Sequence, residues 1–349
     1  MEKKQYNYCL DFIKGIASIF VVFMHCEFPG IMGTAVQAIS RFCVPFFFMV
    51  SGYFCSRPLI QSSVGKVSAY RLGGGIFSIL RKKVLHIAKI TFWASLFYLA
   101  FVLLQQYFFH NQDFCITKSD IFAFVVLNKP FIIAGQYWFL FALLYAYIFY
   151  GILETFGLRK FAYLLAALLF VLYIVLAHGA HLTDVYVWKL WYRNWLVEAF
   201  AYFMLGHWIH EYQDKIIISN KVLIGIIVIT TLLCWVERWV MGRDFGVNIV
   251  TIPQVFALFV YCVKNPVRHE GVIQRLGRDC SMLIYILHPA VWHSFEGIYK
   301  LIGISDNMAA LYMMPILVLF FSILFSLLFN ELKNKFKESR VTTNTFNNA

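Results

Sequence analysis

Continuous apolar runs of about 20 residues, parted by short polar or charged stretches, recur along this chain. A membrane-crossing helix needs a run of that length, whereas a barrel strand needs only about ten residues of alternating polarity. The runs predict ten helices, over 10–28, 34–56, 83–109, 135–155, 160–178, 194–211, 220–240, 247–264, 280–300 and 308–331. The fold class is therefore all-α and polytopic, with residues 1–331 as the transmembrane domain. Residues 332–349 read as a tail, basic at first and Asn/Thr-rich from Val341, a composition that favours disorder.

An even number of crossings puts both termini on one side. If that side is the cytoplasm, twenty of the thirty Lys and Arg fall in inner segments and seven in outer ones, leaving Lys14, Arg41 and Lys89 inside spans. This is the positive-inside bias, and it orients the chain with both termini cytoplasmic, a multi-pass protein of the plasma membrane. Composition agrees, with 61% hydrophobic and 14% charged residues, against about 25% charged in soluble domains. The net charge of +12 needs no nucleic-acid partner, because topology accounts for most of it. The N-terminus resembles a signal peptide, but Lys14 interrupts its apolar run and no small-residue cleavage pattern follows. The run Leu10–Phe28 therefore reads as a retained first span. The eight Cys include no C-x-x-C pair, and seven sit in or at the ends of spans, as small apolar filler does.

The first span carries two residues that are costly in lipid, Lys14 and His25. Eleven residues apart, they are separated by about 1100° of rotation, roughly 20° beyond three turns, and by about 16 Å of rise. They share one face, and ionisable groups inside a bilayer usually mark a pathway or a reaction. His25 is the candidate base, since an imidazole can take a proton from a hydroxyl near neutral pH. Asp11, three residues before Lys14, can pair with it. Arg41 opens Arg41-Phe-Cys-Val-Pro45-Phe-Phe-Phe-Met-Val-Ser51-Gly52-Tyr53 and needs an anion or a polar surround. Pro45 can kink that helix, and Ser51-Gly52 suit close helix packing. Arg81, Lys82, Lys83, His86 and Lys89 form a basic entry to the third span, with 82, 86 and 89 on one face. Anionic lipid explains the first three; Lys89 lies deeper, where it points into protein or snorkels, and a phosphate-rich ligand is the rival reading. Gly73-Gly74-Gly75 could contact a phosphate, a weak signal without a strand–helix context. His207-x-x-His210-Glu211 has metal-like spacing but no third ligand, so no metal is expected. Glu198 in the sixth span and His288-Pro289 in the ninth are further buried polar candidates.

Together these segments resemble membrane-bound acyltransferase family 3, which O-acylates cell-surface glycans. The resemblance rests on Asp11-Phe-Ile-Lys14-Gly15 with His25, Pro45-Phe-Phe-Phe-Met-Val-Ser51-Gly52-Tyr53, the basic entry to the third span, Gln136-Tyr-Trp138-Phe-Leu, and Ser281-Met-Leu-Ile-Tyr285-Ile-Leu-His288-Pro289. Two departures stand out: Lys14 replaces the commoner Arg, and Lys82, Lys83 and His86 replace an Arg-rich pattern whose bidentate grip they lack. The resemblance implies acyl-CoA, most simply acetyl-CoA, as donor. It also implies His25, Lys14 and Arg41 at the reaction centre and Arg81, Lys82, Lys83, His86 and Lys89 toward the CoA phosphates. Trp138, Glu198 and His288 fall on the acceptor side, and the acceptor is a glycan or glycolipid hydroxyl outside the membrane. A transporter of a small polar solute is the alternative from another class. Nothing in the sequence fixes an oligomeric state.

Overall fold

A computed structural model describes residues 7–56, 76–109, 117–130 and 135–346. The Gly73–Gly75 run, Arg57, Lys66, Arg71 and Cys115 lie outside the described residues. In chain order the helices are α1 Tyr8–His25, α2 Gly30–Ser40, α3 Cys43–Tyr53, α4 Ile76–Phe109, α5 Lys118–Leu127, α6 Trp138–Thr155 and α7 Arg159–Ile174. They continue with α8 Ala180–Leu182, α9 Ala201–Tyr212, α10 Asn220–Met241, α11 Thr251–Lys264, α12 Val272–Arg275, α13 Ser281–Leu301 and α14 Met308–Phe346. No strand occurs among the described residues, in keeping with the all-α expectation.

Seven helical segments among the described residues are long and apolar enough to cross a membrane. They correspond to seven of the ten expected spans. The other three are helical but built differently. The segment 194–211 begins as a π-helical turn, Trp195–Phe200, before α9. The segment 247–264 contributes only the fourteen residues of α11. The segment 280–300 is α13, diluted by His288, Pro289, His293, Glu296 and Lys300. The span expected over 34–56 is two helices, broken at Arg41-Phe42. Pro45 explains where: it lacks the N–H that would bond the carbonyl of Arg41, four residues earlier. The α14 helix runs on through the basic stretch to Phe346.

The chain divides into two compact units. The first joins residues 1–43 to 262–349, and the second is 44–261. In the first unit α1 packs against α2, α12, α13 and α14. Its apolar core includes Val22, Cys26, Ile284, Val291, Met314 and Val318. Two glycines let α1 meet the segment at the start of α13 backbone to backbone. A Cβ on Gly15 would strike the Ile273 carbonyl, and one on Gly277 would strike the Asp11 carbonyl. The second unit uses the same device between α3 and α9, where Gly52 lies on the backbone of Phe203 and Gly206 on that of Met49. Small residues at such crossings admit the close packing that stands in for hydrophobic drive in lipid. Around it the second unit is filled by aromatic pairs, among them Phe48 with Phe139 at 4.7 Å and Phe149 with Phe200 at 4.8 Å. The seven described cysteines are all buried free thiols.

Candidate active site

The first unit carries Lys14 and His25 on one helix. Asn7 caps α1, accepting from the Cys9 N–H at 2.9 Å and donating to the Cys262 carbonyl at 2.8 Å. One turn in, Lys14 Nζ stands 2.5 Å from Asp11 Oδ1. Asp11 is buried, and its Oδ2 has no partner among the described residues. The Gly15–Gly277 approach brings a second acid into the field of Lys14, namely Asp279. Asp279 takes a bidentate contact from Arg278, at 2.9 and 2.8 Å, which holds its carboxyl below the usual range. Arg278 also pairs with Glu270, so this end of the unit is a mesh of both signs rather than a bare cationic patch. The segment carrying Asp279, Leu276–Cys280, is a π-helical turn whose Asp279 carbonyl is taken by Asn330 Nδ2 at 2.9 Å.

At the other end of α1, His25 is the last helical residue, and the following N–H, of Cys26, bonds back to Val22 at 2.8 Å. The His25 ring lies against His288, with centroids 5.3 Å apart and planes tilted by 31°. His288 is fully buried, and its Nδ1 is 3.0 Å from the Ile284 carbonyl oxygen. Further along α13, His293 pairs with Glu296 at 2.8 Å and stacks on Trp292. Glu27, just past α1, is hydrogen-bonded by Gln37. Arg41 is buried in this unit at the break between α2 and α3.

The second unit holds the other expected residues. On α4, Arg81, Lys82, His86 and Lys89 are exposed, with 82, 86 and 89 along one face. Lys83 turns inward, half-buried, into the field of the Cys55 thiol. Trp138 starts α6; its carbonyl accepts from Asn128 Nδ2 at 2.9 Å, while Asn128 Oδ1 accepts the Trp195 N–H at 2.7 Å. Asn128 is buried in the left-handed region, φ 50°, a conformation Asn tolerates well. The Arg193 guanidinium sits over the Trp138 ring at 4.9 Å. Glu198 is buried in the π-helical turn Trp195–Phe200, which Asn194 caps at its start. His207 is spoken for at both nitrogens: Tyr150 Oη at Nε2 and Tyr163 Oη at Nδ1, each at 2.8 Å. Among the described residues no three His, Cys, Asp or Glu side chains group as metal ligands do.

A family model described as an acyltransferase domain matches residues 7–330, nearly the whole chain and both units. The chain belongs to acyltransferase family 3. Neither the curated proteins nor the solved structures give a match. The molecule is thus a membrane acyltransferase, a transferase of groups other than aminoacyl. Its first unit brings together Lys14 with Asp11, and His25 with His288. Sequence reasoning held His288 apart from His25, because 263 residues separate them and spacing reports only local faces. Two residues of the acyltransferase went unnoticed in the sequence. Arg193 read as one more loop cation, and its signal was the run of Trp and Tyr around it. Asp279 had no signal of its own in the sequence; only the Gly15–Gly277 contact brings it toward Lys14.

Proposed function

We propose that this acyltransferase moves an acyl group, most simply acetyl, from cytoplasmic acyl-CoA to a hydroxyl of an extracytoplasmic glycan or glycolipid at the plasma membrane. The observation that carries the reading is the His25–His288 ring pair, whose His25 lies on the same helix as the Lys14–Asp11 ion pair and about 16 Å of helix away from it. A cation at one end suits a polyanionic donor, and an imidazole at the other suits a hydroxyl. In the reaction His25 takes the hydroxyl proton as the oxygen attacks the thioester carbonyl. The new C–O bond forms, the C–S bond breaks, and the proton passes to the departing thiolate. Ester and free CoA are the products. Lys82, His86 and Lys89, exposed along one face of α4, with Arg81 beside them, are the candidates for the CoA phosphates. Lys83, half-buried in the field of the Cys55 thiol, is the fifth candidate.

The test is purified protein in vesicles with labelled acetyl-CoA and a glycan acceptor. Labelled product is expected from the parent and none from His25→Ala at equal folded yield. Solute accumulation without any CoA would replace this reading with transport. Sidedness is checked by cysteine labelling after Cys115 is removed. A cysteine at Thr183 should react in intact cells, and one at Ser339 only after permeabilisation. The reverse pattern would redirect the acceptor to a cytoplasmic molecule.

A further inference from the structure

Pro289 has no N–H, so the carbonyl of Tyr285, four residues earlier, loses its helical donor. The His288 ring answers this defect from within α13. Its Nδ1 is 3.0 Å from the Ile284 carbonyl oxygen, and the ring also lies within the field of the Tyr285 carbonyl. A carbonyl only accepts, so Nδ1 carries the proton, and in a neutral ring Nε2 is left as a lone pair. The backbone thereby fixes the tautomer. Nε2 is buried and has no hydrogen-bond partner among the described residues. Buried acceptors of this kind are rare, because an unmet one keeps its full desolvation cost.

The His25 ring lies alongside, so an acceptor hydroxyl delivered to His25 arrives at His288 too. One hydroxyl has one proton, and the proposed chemistry gives that proton to His25. Nε2 of His288 therefore requires a second donor. Hydroxyls on adjacent carbons can reach two rings at this spacing, each about 2.8 Å from its nitrogen. We infer that His288 accepts a hydrogen bond from a hydroxyl neighbouring the one acylated, so that the enzyme selects vicinal diols, as sugars present them. The inference rests on the proposed role of His25. The second hydroxyl is unchanged by the reaction, and its work is orientation and selection. A site built to hydrogen-bond a hydroxyl rejects an analogue lacking it far more strongly than an apolar pocket does.

The experiment uses the full chain, acetyl-CoA, and a panel of methyl hexopyranosides with free neighbouring hydroxyls. Each is compared with the deoxy sugar lacking the neighbour of the acylated position. The parent protein should lose about tenfold or more in kcat/KM on the deoxy sugars. His288→Asn keeps an amide donor for the backbone carbonyls but has no atom where Nε2 stood. It should acylate diol and deoxy sugars alike. His288→Gln, with an amide oxygen near that place, should recover part of the preference. Equal use of both sugars by the parent overturns the inference, as does a preference that survives in His288→Asn; in either case acyl transfer itself stands. The parent comparison needs no variant, so a folding defect in either one leaves the inference testable. Failure of the parent to acylate any pyranoside overturns the proposed acceptor class, and the inference with it.

Discussion

Each unit buries a histidine on a helix, and the two are treated in opposite ways. In the second unit, His207 has a tyrosine hydroxyl on each nitrogen, and those tyrosines come from α6 and α7. Nothing remains for a substrate, so His207 is a tie between helices. In the first unit, His288 is bonded at Nδ1 by its own helix, has Nε2 unmet among the described residues, and lies against His25. Burial alone does not separate a histidine held at both nitrogens from one with a nitrogen left unmet; the count of satisfied nitrogens does. The same contrast runs through the units. The second is filled around its glycine crossing by aromatic pairs, while in the first α1 carries an ion pair near one end and an imidazole pair at the other.

Substitutions in the two units should break different things. The largest effect is expected for His25→Ala. Removing a general base costs about 10²- to 10⁴-fold in rate, read as labelled ester per minute, with the melting temperature unchanged. Activity at the parent level would remove His25 from the reaction. His207→Phe should do the converse. It removes one hydrogen-bond partner from each of Tyr150 and Tyr163 and lowers stability by about 1–2 kcal/mol, seen as an earlier thermal transition in detergent, while kcat per folded molecule holds. A lower kcat in the folded fraction would make the second unit part of the chemistry.

Lys89→Ala sharpens the comparison by asking whether the second unit grips the donor. A charge-assisted phosphate contact is worth about 1.5–3 kcal/mol, so KM for acetyl-CoA should rise about tenfold with kcat and acceptor KM little changed. An unaltered KM would leave Lys89 as a snorkelling lysine, which its exposure also permits. The smallest effect concerns α5. Thr117 and Asp120 form a capping box, and hydrogen bonds from Thr117 and Lys129 push the Asp120 carboxyl down to about 2. A depressed acid favours the folded turn above its unfolded value of 3.8, and that contribution is lost as pH falls toward 2. The protection factor of the amides in the first turn of α5, taken against the intrinsic exchange rate at each pH, should therefore fall between pH 4 and 2 in the parent. In Asp120→Asn it should already be low at pH 5; equal protection there would discount the box.

The sequence by itself determined the class of molecule and the position of most helices. Apolar runs of a fixed length have one outcome in lipid, because every backbone group must be satisfied within its own segment. It also determined that Lys14 and His25 share a face, since helical periodicity is local. It located Pro45 but not the break at Arg41-Phe42, which depends on whether a neighbour rescues the orphaned carbonyl. Tertiary structure alone decided which buried polar residues meet. That His288 lies on His25, that Asp279 comes into the field of Lys14, and that His207 is saturated by two tyrosines are long-range pairings. They are fixed by glycine crossings and π-helical turns, which rotate a face by a fraction of a turn. No residue pattern states such a rotation in advance, because it is the joint solution of packing on several helices at once.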